Sequence, residues 1–206
     1  MMRILVIVGM FWCTIGFAQK VVKKSIVSNT VSYINIDVTN CYKASISTAD
    51  IPEIQVEAHM DGEYNNDLML GIKEEANTLN VTTAFQPNFV NPNDKLSAHK
   101  VISISLDITI PTYKTVRVYG THCNVVINGT YTDIDVALSN GRCEFHEVKG
   151  EANATTQDGN IIVHTKAANI TAKSKYGKVF FPEIPSGDNQ YTLSSVTGDI
   201  HLHKTE

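Results

Sequence analysis

The sequence has no surplus of positive charge. Its 17 Lys and Arg face 21 Asp and Glu, for a formal net charge of −4 at pH 7. Nucleic-acid binding needs a concentrated basic face, and the nearest thing here is the short cluster Lys20, Lys23 and Lys24. Beyond residue 18 no apolar run reaches the roughly 20 residues that a membrane-spanning helix takes. Catalytic signatures are missing as well. There is no Gly-x-Ser-x-Gly, no His-Glu-x-x-His, no phosphate-binding glycine loop and no calcium-binding glycine–aspartate nonapeptide. Cys-x-x-Cys is absent, so neither a redox nor a zinc reading has a motif behind it. The chain is expected not to be an enzyme and to need no cofactor.

What is present begins with an export signal. Arg3 supplies a positive start, Ile4 to Phe17 is almost wholly apolar, and Gly16 and Ala18 are small at the two positions a signal peptidase reads. Residues 1–18 are read as a signal peptide cleaved before Gln19. The protein is then exported, to the periplasm, the outer surface or the extracellular space. Three cysteines remain, Cys41, Cys123 and Cys143. An odd number leaves at least one thiol unpaired or bonded to another molecule. Asn-x-Thr occurs at Asn80, Asn128, Asn153 and Asn169 and is read as ordinary composition of a β-rich chain.

The strongest signal is a repeat. In TTQDGNIIVHT, residues 155–165, a polar turn centred on Gly159 leads into an alternating strand. Gly141 lies 18 residues earlier, Gly177 lies 18 later and Gly198 a further 21 on, with Cys123 in the same register before Gly141. Two residues after these turns stand Val125, Cys143, Ile161, Val179 and Ile200. Four after stand Ile127, Phe145, Val163, Phe181 and Leu202. Seven before are Val116, Ile134, Ala152, Ile170 and Tyr191, and five before are Val118, Val136, Ala154, Ala172 and Leu193. Every position is apolar, in a chain that is 43% hydrophobic.

Strand side chains alternate with period two, so each pair of offsets shares one face. Each unit is two short strands joined by a turn. Burying four side chains does not offset the entropy of ordering some 18 residues, so the units must stack. Periods of this size mark solenoids. The expected fold is all-β, a single-stranded β-solenoid of about 18-residue rungs with an N-terminal β cap. The alternative is a twisted antiparallel β-sandwich in which each glycine makes a hairpin. The expected organisation is a signal peptide at 1–18, a β-rich capping region at 19–100 with a long loop at 86–100, and the repeat region at 101–206. The strict alternation of VISISLDITIP opens the repeat region.

The run from VISISLDITIP through VRVYG, DVALSNG, ATTQDGNIIV, TAKSKYGKVFF and SSVTGDIHL resembles the bacterial putative-adhesin, β-strand-repeat family of exported proteins, a domain of unknown function. The resemblance spans roughly residues 30–206. It implies a β-solenoid, a signal peptide and a surface or adhesive role, and it supplies no catalytic residues. Cys123 departs from the family pattern, standing where a turn glycine is usual.

Three sets of residues are singled out. Gly141, Gly159, Gly177 and Gly198 are structural turns. On the outer face, Ile162 and Phe180 are expected side by side as an apolar strip, and Tyr119 is an outer aromatic suited to stacking on a sugar. His146 and His164 are expected one rung apart, with Glu144 nearby, as ligands for zinc or copper. A solvated polar face with incidental histidines is the simpler account of that column. A polysaccharide-cleaving solenoid would need clustered charges outside. The column Asn124, Arg142, Asn160, Lys178 and Asp199 is merely mixed polar. The function expected is adhesin-like binding or scaffolding on a rigid face, with an unknown protein or glycan of the cell surface or envelope as partner. The alternatives are a periplasmic structural or envelope-stress protein and a carbohydrate-active enzyme.

Overall fold

The computed structural model describes residues 20–27, 29–62, 65–89 and 102–206. The signal peptide and residues 90–100 of the expected loop lie outside the described residues. The described chain is all-β, with fifteen strands in one mixed sheet that does not close on itself and one 3-10 turn at Asn65–Asp67. In the first half these are β1 (Lys20–Val27), β2 (Tyr33–Asp37), β3 (Lys43–Ala49), β4 (Glu53–Gly62), β5 (Leu68–Glu75), β6 (Thr78–Phe85) and β7 (Ile102–Pro111). Then follow β8 (Thr115–Gly120), β9 (Asn124–Leu138), β10 (Cys143–Thr156), β11 (Ile161–Thr165), β12 (Asn169–Ser174), β13 (Val179–Phe180), β14 (Gln190–Ser195) and β15 (Ile200–Lys204).

The register follows the repeat. Val125 pairs with Cys143, Cys143 with Ile161 and Ile161 with Ile200, all in parallel. On the other side of the turns Val116 pairs with Ile134, Ile134 with Ala152 and Ala152 with Tyr191, again in parallel. The order of the last two rungs is inverted relative to the chain. Ile200 lies between Ile161 and Val179, and Tyr191 lies between Ala152 and Ile170. The final segment has slipped in ahead of the one before it.

Side-chain size accounts for the inversion. The inserted rung carries Tyr191, Leu193, Ile200 and Leu202, all buried. The Tyr191 ring meets Phe145 edge-on at 5.9 Å, and its hydroxyl donates to Val148 O at 2.7 Å. The rung left outermost carries Ile170, Ala172, Val179 and Phe181. These four are the members of the twenty-residue apolar set that are not buried. Burying the larger aromatic and leaving the smaller rung outside removes more apolar surface from water.

The turns stack as well. A Cβ on Gly159 would lie 1.8 Å from Gly141 O, and one on Gly141 would lie 1.8 Å from Cys123 O. Glycine is needed there because each turn rests directly on the backbone of the turn before. Thr156, buried beneath the Gly159 turn, donates from Oγ1 to Gly159 O at 2.6 Å.

The first half enters the same ladders. Ile34 and Ile36 pair with Val116 and Val118, and Ala44 and Ile46 with Val125 and Ile127. Beyond them β6 pairs in parallel with β2, and β7 with β3. Antiparallel strands follow, β5 on β6, β4 on β7 and β1 on β4. Lys20 and Lys24 of β1 donate from Nζ to Leu68 O and Leu70 O of β5, at 2.7 and 3.0 Å. Such lysines blunt an exposed strand edge.

The core sets an alkaline limit. Cys41, Cys123 and Cys143 are free and buried. Burial, against a smaller opposing hydrogen bond from Thr83, pushes the Cys41 thiol up to about 11. Burial likewise pushes the Tyr191 phenol up to about 12. Both groups are neutral when protonated, and folding favours that form. Their contribution is complete below the unfolded values, near 9 for a thiol and 10 for a phenol, and is lost as pH rises through the folded ones. The midpoint of thermal unfolding is expected to be flat from pH 7.5 to about 8.5 and to fall steadily above about 9. A midpoint unchanged through pH 11 contradicts this.

Candidate functional site on the outer face

The parallel register turns single outward residues into columns. The column three after the turns runs, in space, Val126, Glu144, Ile162, His201 and Phe180. The column five after runs Asn128, His146, His164 and His203. His146 and His164 stack with ring centroids 4.7 Å apart and planes 3° apart, and His203 stacks on the far side of His164 at 4.8 Å. The separations are those of neighbouring strands, about 4.8 Å.

Glu144 stands on the same strand and face as His146. Its Oε1 lies 2.9 Å from His146 Nε2 and 3.5 Å from His164 Nε2. Arg142 holds the other carboxylate oxygen, Nε to Oε2, at 3.7 Å. The ligating atoms of Glu144, His146 and His164 all lie within 4.8 Å of one another. Each residue is partly buried, Glu144 most. The imidazole of His164 is held below its ordinary pKa, first by burial and then by His146 and His203, against the opposing pull of Glu144. The structure thus brings together the three residues singled out as ligands. It adds His203, which chain order would separate from His164 by Pro182.

Ile162 and Phe180 are not adjacent, because the inserted rung places His201 between them. Phe180 stacks on His201 at 4.6 Å with planes 9° apart. Ile162, His201 and Phe180 therefore form one outward strip, while Phe181, at the core-facing offset of the outermost rung, is left 56% exposed. Tyr119 lies apart, on β8, 45% exposed. Its register partner Ala137, with Gly120, Ser139, Thr155 and Val196, lines a shallow trough of about 420 Å³. Gly141, Gly159, Gly198 and Gly177 form the stacked turn column in that spatial order.

No family model matches the sequence, and no curated protein matches it. Solved structures do resemble it. A putative cell adhesion protein from Clostridium sporogenes ATCC 15579 superposes with a TM-score of 0.63 at 12% identity, covering 91% of this chain and 100% of that one. A putative adhesin from Bacteroides fragilis NCTC 9343 is 14% identical, with a TM-score of 0.38 and coverage of 90% and 98%. Another from Parabacteroides merdae ATCC 43184 is 12% identical, with a TM-score of 0.32 and coverage of 87% and 96%. The resemblance to adhesins read from the sequence is met by the first of these as a shared fold. Among the described residues no helix is long and apolar enough to cross a membrane.

Proposed function

We propose that this is an exported, non-catalytic, adhesin-like binding or scaffolding protein. Its parallel ladders form a β-solenoid, closed at one end by the antiparallel strands β1, β4 and β5. The observation that carries this reading is the outward strip Ile162, His201 and Phe180. Exposed apolar and aromatic side chains grouped on one outer face mark a contact site. The in-register ladder holds that strip rigid, as extended partners require. The names of the similar solved structures support the same class. A surface protein or glycan is the partner proposed, with Tyr119 beside its trough as a second point of contact for a sugar ring.

Two measurements test it. Protease treatment of intact cells is expected to release the protein while a periplasmic marker survives. Full protection would put it behind the outer membrane and favour a structural or envelope-stress role. Phe180→Asp is expected to leave the thermal midpoint within a few degrees of the parent and to abolish attachment to the surface that the parent protein binds. Phe180 is 46% exposed, so the substitution removes little from the core. Loss of fold instead of attachment would show that Phe180 is part of the packing.

A further inference from the structure

The column of outward imidazoles has the donor set and spacing of a metal site. Zinc is held at about 2.0–2.1 Å by imidazole nitrogen and about 2.0–2.2 Å by carboxylate oxygen, so tetrahedral donors sit about 3.4 Å apart. The distances from Glu144 Oε1 to His146 Nε2 and His164 Nε2, 2.9 and 3.5 Å, bracket that value. One ring nitrogen from each histidine and a Glu144 carboxylate oxygen lie within 4.8 Å of one another, and the donors have to close up. The parallel rings must also tilt so that their lone pairs converge. Both are partly exposed, with side-chain exposures of 42% for His146 and 29% for His164, so the tilt moves them toward solvent and loosens the stacking of His164 on His203.

The surroundings orient the donors. Arg142 engages Glu144 through Oε2 and leaves Oε1 aimed at the imidazoles. Outer-shell partners of this kind fix the orientation of a ligating group. His203 stacks against the other face of His164 and supports the ring without reaching the donor cluster. We propose that Glu144, His146 and His164 bind one zinc ion, with a fourth coordination position open to solvent. Two histidines and a glutamate with an open position form a known zinc ligand set. The proposal is independent of adhesion, and its failure leaves the adhesin reading standing.

The test is calorimetric titration of zinc chloride into the chain from residue 19, free of affinity tag and stripped with chelator, together with the visible spectrum of the cobalt(II) form. One ion per chain and a tetrahedral cobalt spectrum are expected. Glu144→Gln and His164→Ala should each weaken binding about 10-fold or more, while His122→Ala, at an exposed histidine outside the cluster, leaves it unchanged. Glu144→Gln keeps the side chain's shape, so it reports on the ligand even where a histidine variant misfolds. No zinc heat and no cobalt spectrum would overturn the assignment. So would unchanged affinity in Glu144→Gln or His164→Ala, which would place the ion elsewhere.

Discussion

Replacing Gly159 with alanine is expected to destabilise the protein by about 3 kcal/mol or more, at the upper end of what overpacking costs. The added methyl would sit 1.8 Å from Gly141 O and 2.8 Å from Gly141 C. Both atoms belong to the backbone of the turn before, and no rotamer change relieves the clash. The turns would have to part, but their spacing is fixed by strand ladders on both sides. For a domain of this size such a loss lowers the thermal midpoint by about 6–12 °C. Gly71→Ala is the control. There the nearest atom is the Thr82 hydroxyl, at 2.7 Å, the end of a side chain that can turn away. Its cost is expected to stay under about 1 kcal/mol. If Gly159→Ala proves as mild as Gly71→Ala, the turns do not stack as described.

That turn column was legible in the sequence, and the reason is physical. A stacked turn admits no Cβ, so glycine returns at a fixed spacing. The apolar offsets on either side follow from strand alternation and were legible with it. The order of the rungs was not. Val179 and Ile200 both match the column that Ile161 begins, and one common register fits either neighbour. Only the sizes of Tyr191 and Phe145, which meet across rungs distant in the chain, distinguish the two orders. The first half hid its rung for a different reason. Ile34 and Ile36 keep the spacing to Cys41 found before the later turns, but one extra residue then shifts the core position from Lys43 to Ala44.

The outer face shows the same division. His146, His164 and Glu144 lie on rungs that are neighbours in both chain and space, so sequence spacing alone brought them together. His203 and His201 reach the site only because their rung moved one place inward. The rung order therefore decides both which residues close the core and which complete the outer columns.

The two phenylalanines four residues after their turns test that order directly. Phe145 is fully buried between Ile127 and Val163, with Tyr191 against its edge. Phe145→Ala is expected to cost about 3–5 kcal/mol, because the ladders on either side keep the cavity from collapsing. Phe181 occupies the same offset on the outermost rung and is 56% exposed. Phe181→Ala is expected to change stability by less than about 1 kcal/mol, as surface truncations do. Had the rungs stacked in chain order, Phe181 would lie between Val163 and Leu202, and its loss would cost as much as that of Phe145. Urea unfolding of the two variants side by side decides the matter. Comparable losses in both would restore chain order, return Phe181 to the core and separate His203 from His164. A large loss for Phe145 alone would fix the final segment inside the stack and leave the aromatic end of the ladder free to meet a partner.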